Sequence, residues 1–146
     1  MKKLLFGVFE NAQSNDSGTA TWRHPGNERI HFDSLDYWVD IARICEAGGV
    51  DWLFLADAWG WSEIDGVRPA ICDIEALDLP RLDPSIVIAS LLQSTTRLGL
   101  VITGSTLVEA PYSFARRMAS LDHLSKGRIG WNVVTSGTAD TAAAAA

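Results

Sequence analysis

Arg128-Ile-Gly-Trp-Asn-Val-Val-Thr-Ser136 is the stretch from which the fold can be read. It follows Ser120-Leu-Asp-His-Leu-Ser-Lys-Gly127, a helical pattern closed by glycine. A β-rich run begins at once and carries Asn132, Thr135 and Ser136 toward its end. In a parallel α/β protein the carboxyl ends of the strands are where ligands sit. The upstream chain should then deliver more strand ends of the same kind.

Three earlier runs fit. Leu4–Phe9 is short, apolar and followed by turn residues, and reads as a first strand. Asp51–Asp57 is almost continuously apolar, as a parallel strand covered on both faces requires. Arg97–Gly104 is the third. Helical patterns lie between them. Asp33-Ser34 caps a helix over Tyr37–Ala47, with Trp38, Ile41, Ala42, Ile44 and Cys45 assigned to its buried face and Gly48-Gly49 ending it. Asp83-Pro84 opens a second helix through Ile86, Val87, Leu91 and Leu92. Pro111 opens a third, with Phe114, Met118, Leu121 and Leu124 at helical spacing.

Strict alternation of strand and helix implies a parallel sheet with crossover helices. The connections are unequal. Asn11–Glu28 and Ala58–Arg81 are long loops after strands, whereas the turns before strands are tight. That asymmetry belongs to the working face of a (β/α)8 TIM barrel. A doubly wound sheet also accommodates four strands, but no G-x-G-x-x-G follows the first one, so its dinucleotide-binding version is unsupported. A complete barrel takes roughly 250 residues, so a 146-residue chain holds about the first four strands. Residues 1–137 are therefore expected to form the amino-terminal half of a barrel, with four parallel strands ordered 1-2-3-4 and helices on the outer side. The first and last strands would be open edges. Residues 138–146, Thr138-Ala-Asp-Thr141 and five alanines, read as a low-complexity tail of unassigned or artificial residues.

Composition narrows the class. Eighteen acidic against 12 basic residues give a net charge of −6, which disfavours a broad nucleic-acid surface. Cys45 and Cys72 make neither a disulfide framework nor a metal cluster and are expected to be reduced and buried. Three histidines and two cysteines show no ligand spacing, so no metal is expected. Lys2-Lys3 before Leu4–Phe9 hints at a signal peptide, but the apolar core is too short and Glu10 stops it. No stretch reaches transmembrane length, and a cytoplasmic address is the default expectation.

Several blocks together carry a family resemblance: Glu109-Ala-Pro-Tyr112, Ala115-Arg116, Ala119-Ser-Leu-Asp-His-Leu-Ser125, Gly127-Arg128 and Gly130-Trp-Asn-Val-Val-Thr-Ser136. Trp22-Arg-His-Pro25 and Leu55-Ala-Asp57 fit as well. Residues 3–137 resemble the nitrilotriacetate and dibenzothiophene-sulfone monooxygenases, a group of bacterial luciferase-like flavin monooxygenases. The resemblance implies a (β/α)8 barrel that takes reduced FMN from a separate flavin reductase and uses O2 to oxygenate a small organic substrate. It also implies a homo-oligomer in full-length form. Family members are several times longer, so the second half of the barrel, with its usual phosphate site, falls outside this chain.

Asp57, ending the second strand, is a candidate for contact with the flavin ring, chiefly on the family likeness. Its structural alternative is a cap on the following turn. Thr103 ends the third strand and supplies both donor and acceptor, with Gly104 beside it allowing a planar ligand to approach. Asn132 can donate and accept at once, toward flavin or within a buried network. Thr135 and Ser136 lie nearer the rim, facing flavin or substrate or capping a following helix. Trp59 and Trp61 are candidate substrate walls or ordinary loop packing. His123 is read as a structural histidine bonded to nearby backbone, and Asp122 and Arg128 as fixing the turn into the fourth strand. His24 and His31 are weak acid–base candidates. Two rival readings remain open: a non-catalytic barrel fragment that associates with another chain, and an unrelated TIM-barrel hydrolase.

Overall fold

The computed structural model describes residues 3–15 and 21–135. Strands β1 (Gly7–Asn11), β2 (Trp52–Ala56), β3 (Gly99–Ser105) and β4 (Ile129–Val134) form one sheet in the order β1-β2-β3-β4. Every pairing is parallel. The helices are α1 (Leu35–Ala47), a short α2 (Ala70–Ile74), α3 (Pro84–Leu91) and α4 (Pro111–Ser125). Topology and strand order are those expected of the first half of a barrel.

Side-chain alternation sorts the sheet into two faces. Leu53 and Leu55 of β2, with Leu100 and Ile102 of β3, are all but inaccessible to solvent. They pack with Trp38, Ala42 and Cys45 of α1 and Val87, Ile88 and Leu91 of α3 in a single core. Each such aliphatic side chain contributes about 1.5–3 kcal/mol relative to exposure. The opposite face is built in layers. Gly7, Trp52 and Gly99 are register partners, and so are Phe9, Phe54, Val101 and Gly130 one layer up. A Cβ on Gly7 would meet the Trp52 indole at 2.5 Å, so only glycine lets that ring lie across the sheet. This face is open: Phe9 is 60% exposed, and the sheet frames a concavity of about 690 Å³.

Two polar clamps hold the tight turns before strands. The Glu46 carboxylate at the end of α1 accepts from the backbone N–H groups of Thr96, Arg97 and Leu98. Desolvation works against its charge, but the Arg97, Thr96 and Leu98 donors outweigh it and hold the carboxyl below its ordinary range. Arg128 is the second clamp. Its guanidinium donates to the carbonyls of Ser125 (2.9 Å), Leu98 (2.8 Å), Leu92 and Thr95 (3.3 Å each) and to Thr95 Oγ1 (3.1 Å). Arg128 thus fixes the turn, as read from the sequence. Asp122 contributes through its backbone carbonyl, which accepts from Gly127 N–H at 3.0 Å.

Some expectations are corrected. β1 starts at Gly7, and Leu4, Leu5 and Phe6 before it are exposed. The loop after β2 contains α2. Ile44, assigned to the buried face of the first helix, is 71% exposed, and Ile86 and Leu124, counted among the apolar residues of the other two, are 68% and 70% exposed. The cause is helical geometry. The buried stripe of α1 is Trp38, Ala42 and Cys45, and Ile44 lies two residues, over half a turn, from Ala42. Apolar character alone drew these residues into the core. Cys45 and Cys72 are free and buried, as expected.

Candidate functional site

The parallel strands present all their carboxyl ends on one rim. Thr103 and Asn132 face each other there in register. Asn132 Nδ2 donates to Thr103 Oγ1 at 3.1 Å, and Thr103 is only 7% exposed. That bond uses one amide proton and one lone pair of the hydroxyl. It leaves the hydroxyl proton and the amide oxygen, a donor and an acceptor side by side. Asn132 also lines the inner concavity, with Trp52, Phe54, Val101 and Gly130, at the end opposite Asp51, Arg97 and Arg128, which line it where the strands begin. A polar edge above an apolar wall suits a flat, amphipathic ligand.

Asp57 follows β2 on the same rim. Its Oδ1 accepts from Ala58 N–H at 2.8 Å, the turn cap weighed as the structural reading. The same oxygen lies 3.7 Å from Arg81 Nη1. Both side chains are largely buried, at 14% and 15% exposure. Burial lifts the Asp57 carboxyl to about 6, while the Arg81 charge and the Ala58 N–H oppose the rise and Asp83 adds to it. A carboxyl poised near neutrality at a rim marks a site candidate.

The other predicted residues are less gathered. Thr135 is exposed just past β4. Ser136 and the alanine tail lie outside the described residues. Trp59 and Trp61 are 39% and 36% exposed, and Trp61 Nε1 donates to Glu63 Oε1 at 2.8 Å. Gly104 differs from expectation. A Cβ there would meet the Phe114 ring at 2.5 Å and Trp131 Nε1 at 2.7 Å, so its smallness serves packing against α4 and β4 and not the approach of a ligand. His123 also differs: it is exposed on α4, with no imidazole hydrogen bond described. His24 Nδ1 accepts from Gly26 N–H in an exposed turn, and His31 lies 3.9 Å from Glu28 in another. Among the described residues no cluster of metal-ligating side chains occurs, and no helix is long and apolar enough to cross a membrane.

Sequence reasoning missed three rim groups. Asn15 is 1% exposed; its amide donates to Glu75 O at 3.0 Å and accepts from the Thr21 N–H and hydroxyl. Gln13, 4% exposed, donates to Asn15 O. Together they tie the loop after β1 to the loop after β2. Arg81 is the third. Ending the first strand at Phe9 placed the two amides in the long loop Asn11–Glu28, where polar residues carry no signal of their own. Arg81 carried no local signal.

The family model for luciferase-like monooxygenases matches residues 1–145. The chain belongs to that family. Among solved structures, a riboflavin lyase with modified FMN and riboflavin is 74% identical, with a TM-score of 0.92 over 99% of this chain and 32% of its own length. The long-chain alkane monooxygenase of Geobacillus thermodenitrificans (strain NG80-2) is 41% identical over 92% of this chain and 31% of that enzyme. Nitrilotriacetate monooxygenase component A of Aminobacter aminovorans is 38% identical over 79% of this chain and 26% of its own length. This luciferase-like chain therefore spans about a third of its relatives, as the first four strands of the barrel.

Proposed function

We propose that the protein containing this chain is an FMN-dependent monooxygenase that receives reduced FMN from a separate reductase and uses O2 to oxygenate a small organic molecule. Family membership carries this reading, and the donor–acceptor edge of Thr103 and Asn132 over the apolar wall of Phe54 and Val101 fits the flavin ring. When bound, the flavin supplies the oxygen chemistry. The chain supplies placement. Thr103 and Asn132 hydrogen-bond the ring edge, Asp57 adds a carboxylate, and Thr135 and Ser136 contact flavin or substrate at the rim. Trp59 and Trp61 wall the substrate and keep water out. Cytoplasmic location and homo-oligomerisation of the full-length protein belong to the same proposal, as does the division into a half barrel over 1–137 and a separate tail.

Riboflavin is the substrate best supported, because identity to the riboflavin lyase structure far exceeds that to the monooxygenases of other substrates. The test uses the full-length protein with FMN, a flavin reductase and NADH in air. Riboflavin loss is compared with loss of an alkane and of nitrilotriacetate. Riboflavin consumption that needs both reductase and O2 is expected. Consumption of none of the three substrates would remove the riboflavin assignment, and failure to bind reduced FMN would remove the monooxygenase reading itself.

A further inference from the structure

Arg81 joins three segments of the rim. Its backbone pairs with Gln13 in an isolated antiparallel bridge, and the next residue, Leu82, donates to Ala12 O at 2.7 Å. Its guanidinium reaches across to the exit of β2, donating from Nη1 to Ala58 O. Nε donates to Asp78 O at 2.8 Å. The same Nη1 lies 3.7 Å from Asp57 Oδ1, and Nη2 lies 4.0 Å from Asp78 Oδ1. The side chain is only 15% exposed. Such a fork, satisfied by two carbonyls and flanked by two carboxylates, is held in one orientation, which a lysine cannot reproduce. Both described contacts of the Asp57 carboxylate fall on Oδ1, so Oδ2 is the oxygen left for a ligand.

We propose that Arg81 is a positioning residue of the flavin site: it grips the Asp57–Ala58 turn and the exit of β1 together, and so presents Asp57 Oδ2 to the ring in a fixed place and as a carboxylate. The inference rests on the reading of Asp57 as a flavin contact. Arg81 touches no ligand itself; it acts through Asp57. The charged groups around Asp57 are Arg81, which favours its ionised form, and Asp83, which opposes it. Asp78 and Arg68 complete the network on the loop side, 3.8 Å apart. Removing the Arg81 charge moves the Asp57 titration to higher pH, so less carboxylate is available to accept a ring N–H at neutrality.

The experiment is anaerobic titration of the full-length protein with reduced FMN between pH 5 and 8. It compares the parent with Asp57→Asn, Arg81→Met and Arg81→Lys. Ionisations of the ligand itself appear equally in Asp57→Asn, so the difference from that variant isolates Asp57. In the parent, affinity relative to Asp57→Asn rises with pH through about 6. In Arg81→Met that rise moves to higher pH, and affinity at pH 7 falls several-fold. Arg81→Lys keeps the charge and restores the midpoint, but recovers affinity only partly because the fork is lost. If Arg81→Met folds and keeps the parent's midpoint and affinity, Arg81 does not position Asp57. Should Arg81→Met fail to fold, Arg81→Lys decides: unchanged affinity overturns the proposal, and a loss at unchanged midpoint supports it. Parental binding by Asp57→Asn at every pH is the separate failure in which Asp57 is not at the flavin.

Discussion

At the scale of single residues, the rim sets stability against function. Thr103→Val keeps the shape and removes the hydroxyl that accepts from Asn132 and would donate to flavin. Reduced-FMN affinity of the full-length protein should fall several-fold, corresponding to about 1 kcal/mol. His123→Gln serves as its control. Since the imidazole is exposed, the variant should melt and bind like the parent to within about 0.5 kcal/mol. Parental binding by Thr103→Val would mean the ring edge lies elsewhere. Asp57 is held ionised at a cost. Its folded-state value of about 6 exceeds the ordinary 3.8, so the folded form holds the proton more tightly. Its contribution is most favourable below pH 4 and is lost as pH rises through 6. Asp57→Asn should therefore raise stability at pH 7 by about 1–3 kcal/mol and give no gain at pH 4. Denaturant melts at the two pH values read this directly, and an equal gain at both would show that charge is not the cause.

Among elements, the joint between α4 and β4 is the most tightly specified. Arg128 satisfies four backbone carbonyls from two segments, the end of α4 and the connection between α3 and β3, and Lys126 completes the turn in a left-handed conformation at φ 59°. Arg128→Met keeps the aliphatic stem and strands those carbonyls. A loss of about 3 kcal/mol or more is expected in denaturant unfolding; a loss below about 1 kcal/mol would mean water replaces the guanidinium there. Gly104→Ala probes the other side of the same joint. Its methyl group would intrude on Phe114 and Trp131, whose rings lie 4.6 Å apart. Overpacking of this kind costs about 1–3 kcal/mol. Flavin affinity should hold once folding is corrected for, because Gly104 faces α4. Loss of affinity at unchanged stability would restore it to the ligand side.

For the molecule as a whole, the open face governs behaviour. Among the described residues β1 and β4 each have one neighbour, and apolar side chains are exposed along both, Phe9 on the open face and Trp131 and Val133 on the helix side. Unpaired parallel edges beside apolar surface promote association. The 146-residue chain expressed alone should run as oligomers or aggregate in light scattering. A stable monomer with a cooperative melt would show that the four-strand sheet manages its edges unaided.

What the sequence by itself determined was the order of the four strands and of the three long helices, the parallel sheet, the family and the candidacy of Thr103 and Asn132 as separate strand residues. The fold and the candidates follow from local chemistry, namely apolar period, glycine and proline punctuation and polar residues at strand ends, and the family follows from the resemblance of the motif blocks between Glu109 and Ser136. Arg128 was legible too, because it sits in the turn it fixes. Only the tertiary structure decided which apolar helix residues face the sheet, as Ile44, Ile86 and Leu124 illustrate, since hydrophobicity does not say which side of a helix meets a neighbour. The role of Gly104 was equally out of reach, because a missing Cβ acquires meaning only from the ring packed against it. So was that of Arg81, which lies 24 positions from Asp57 in the chain and 3.7 Å from it in space. Partnerships across that separation depend on where the strands end, and the register of the folded sheet sets those ends.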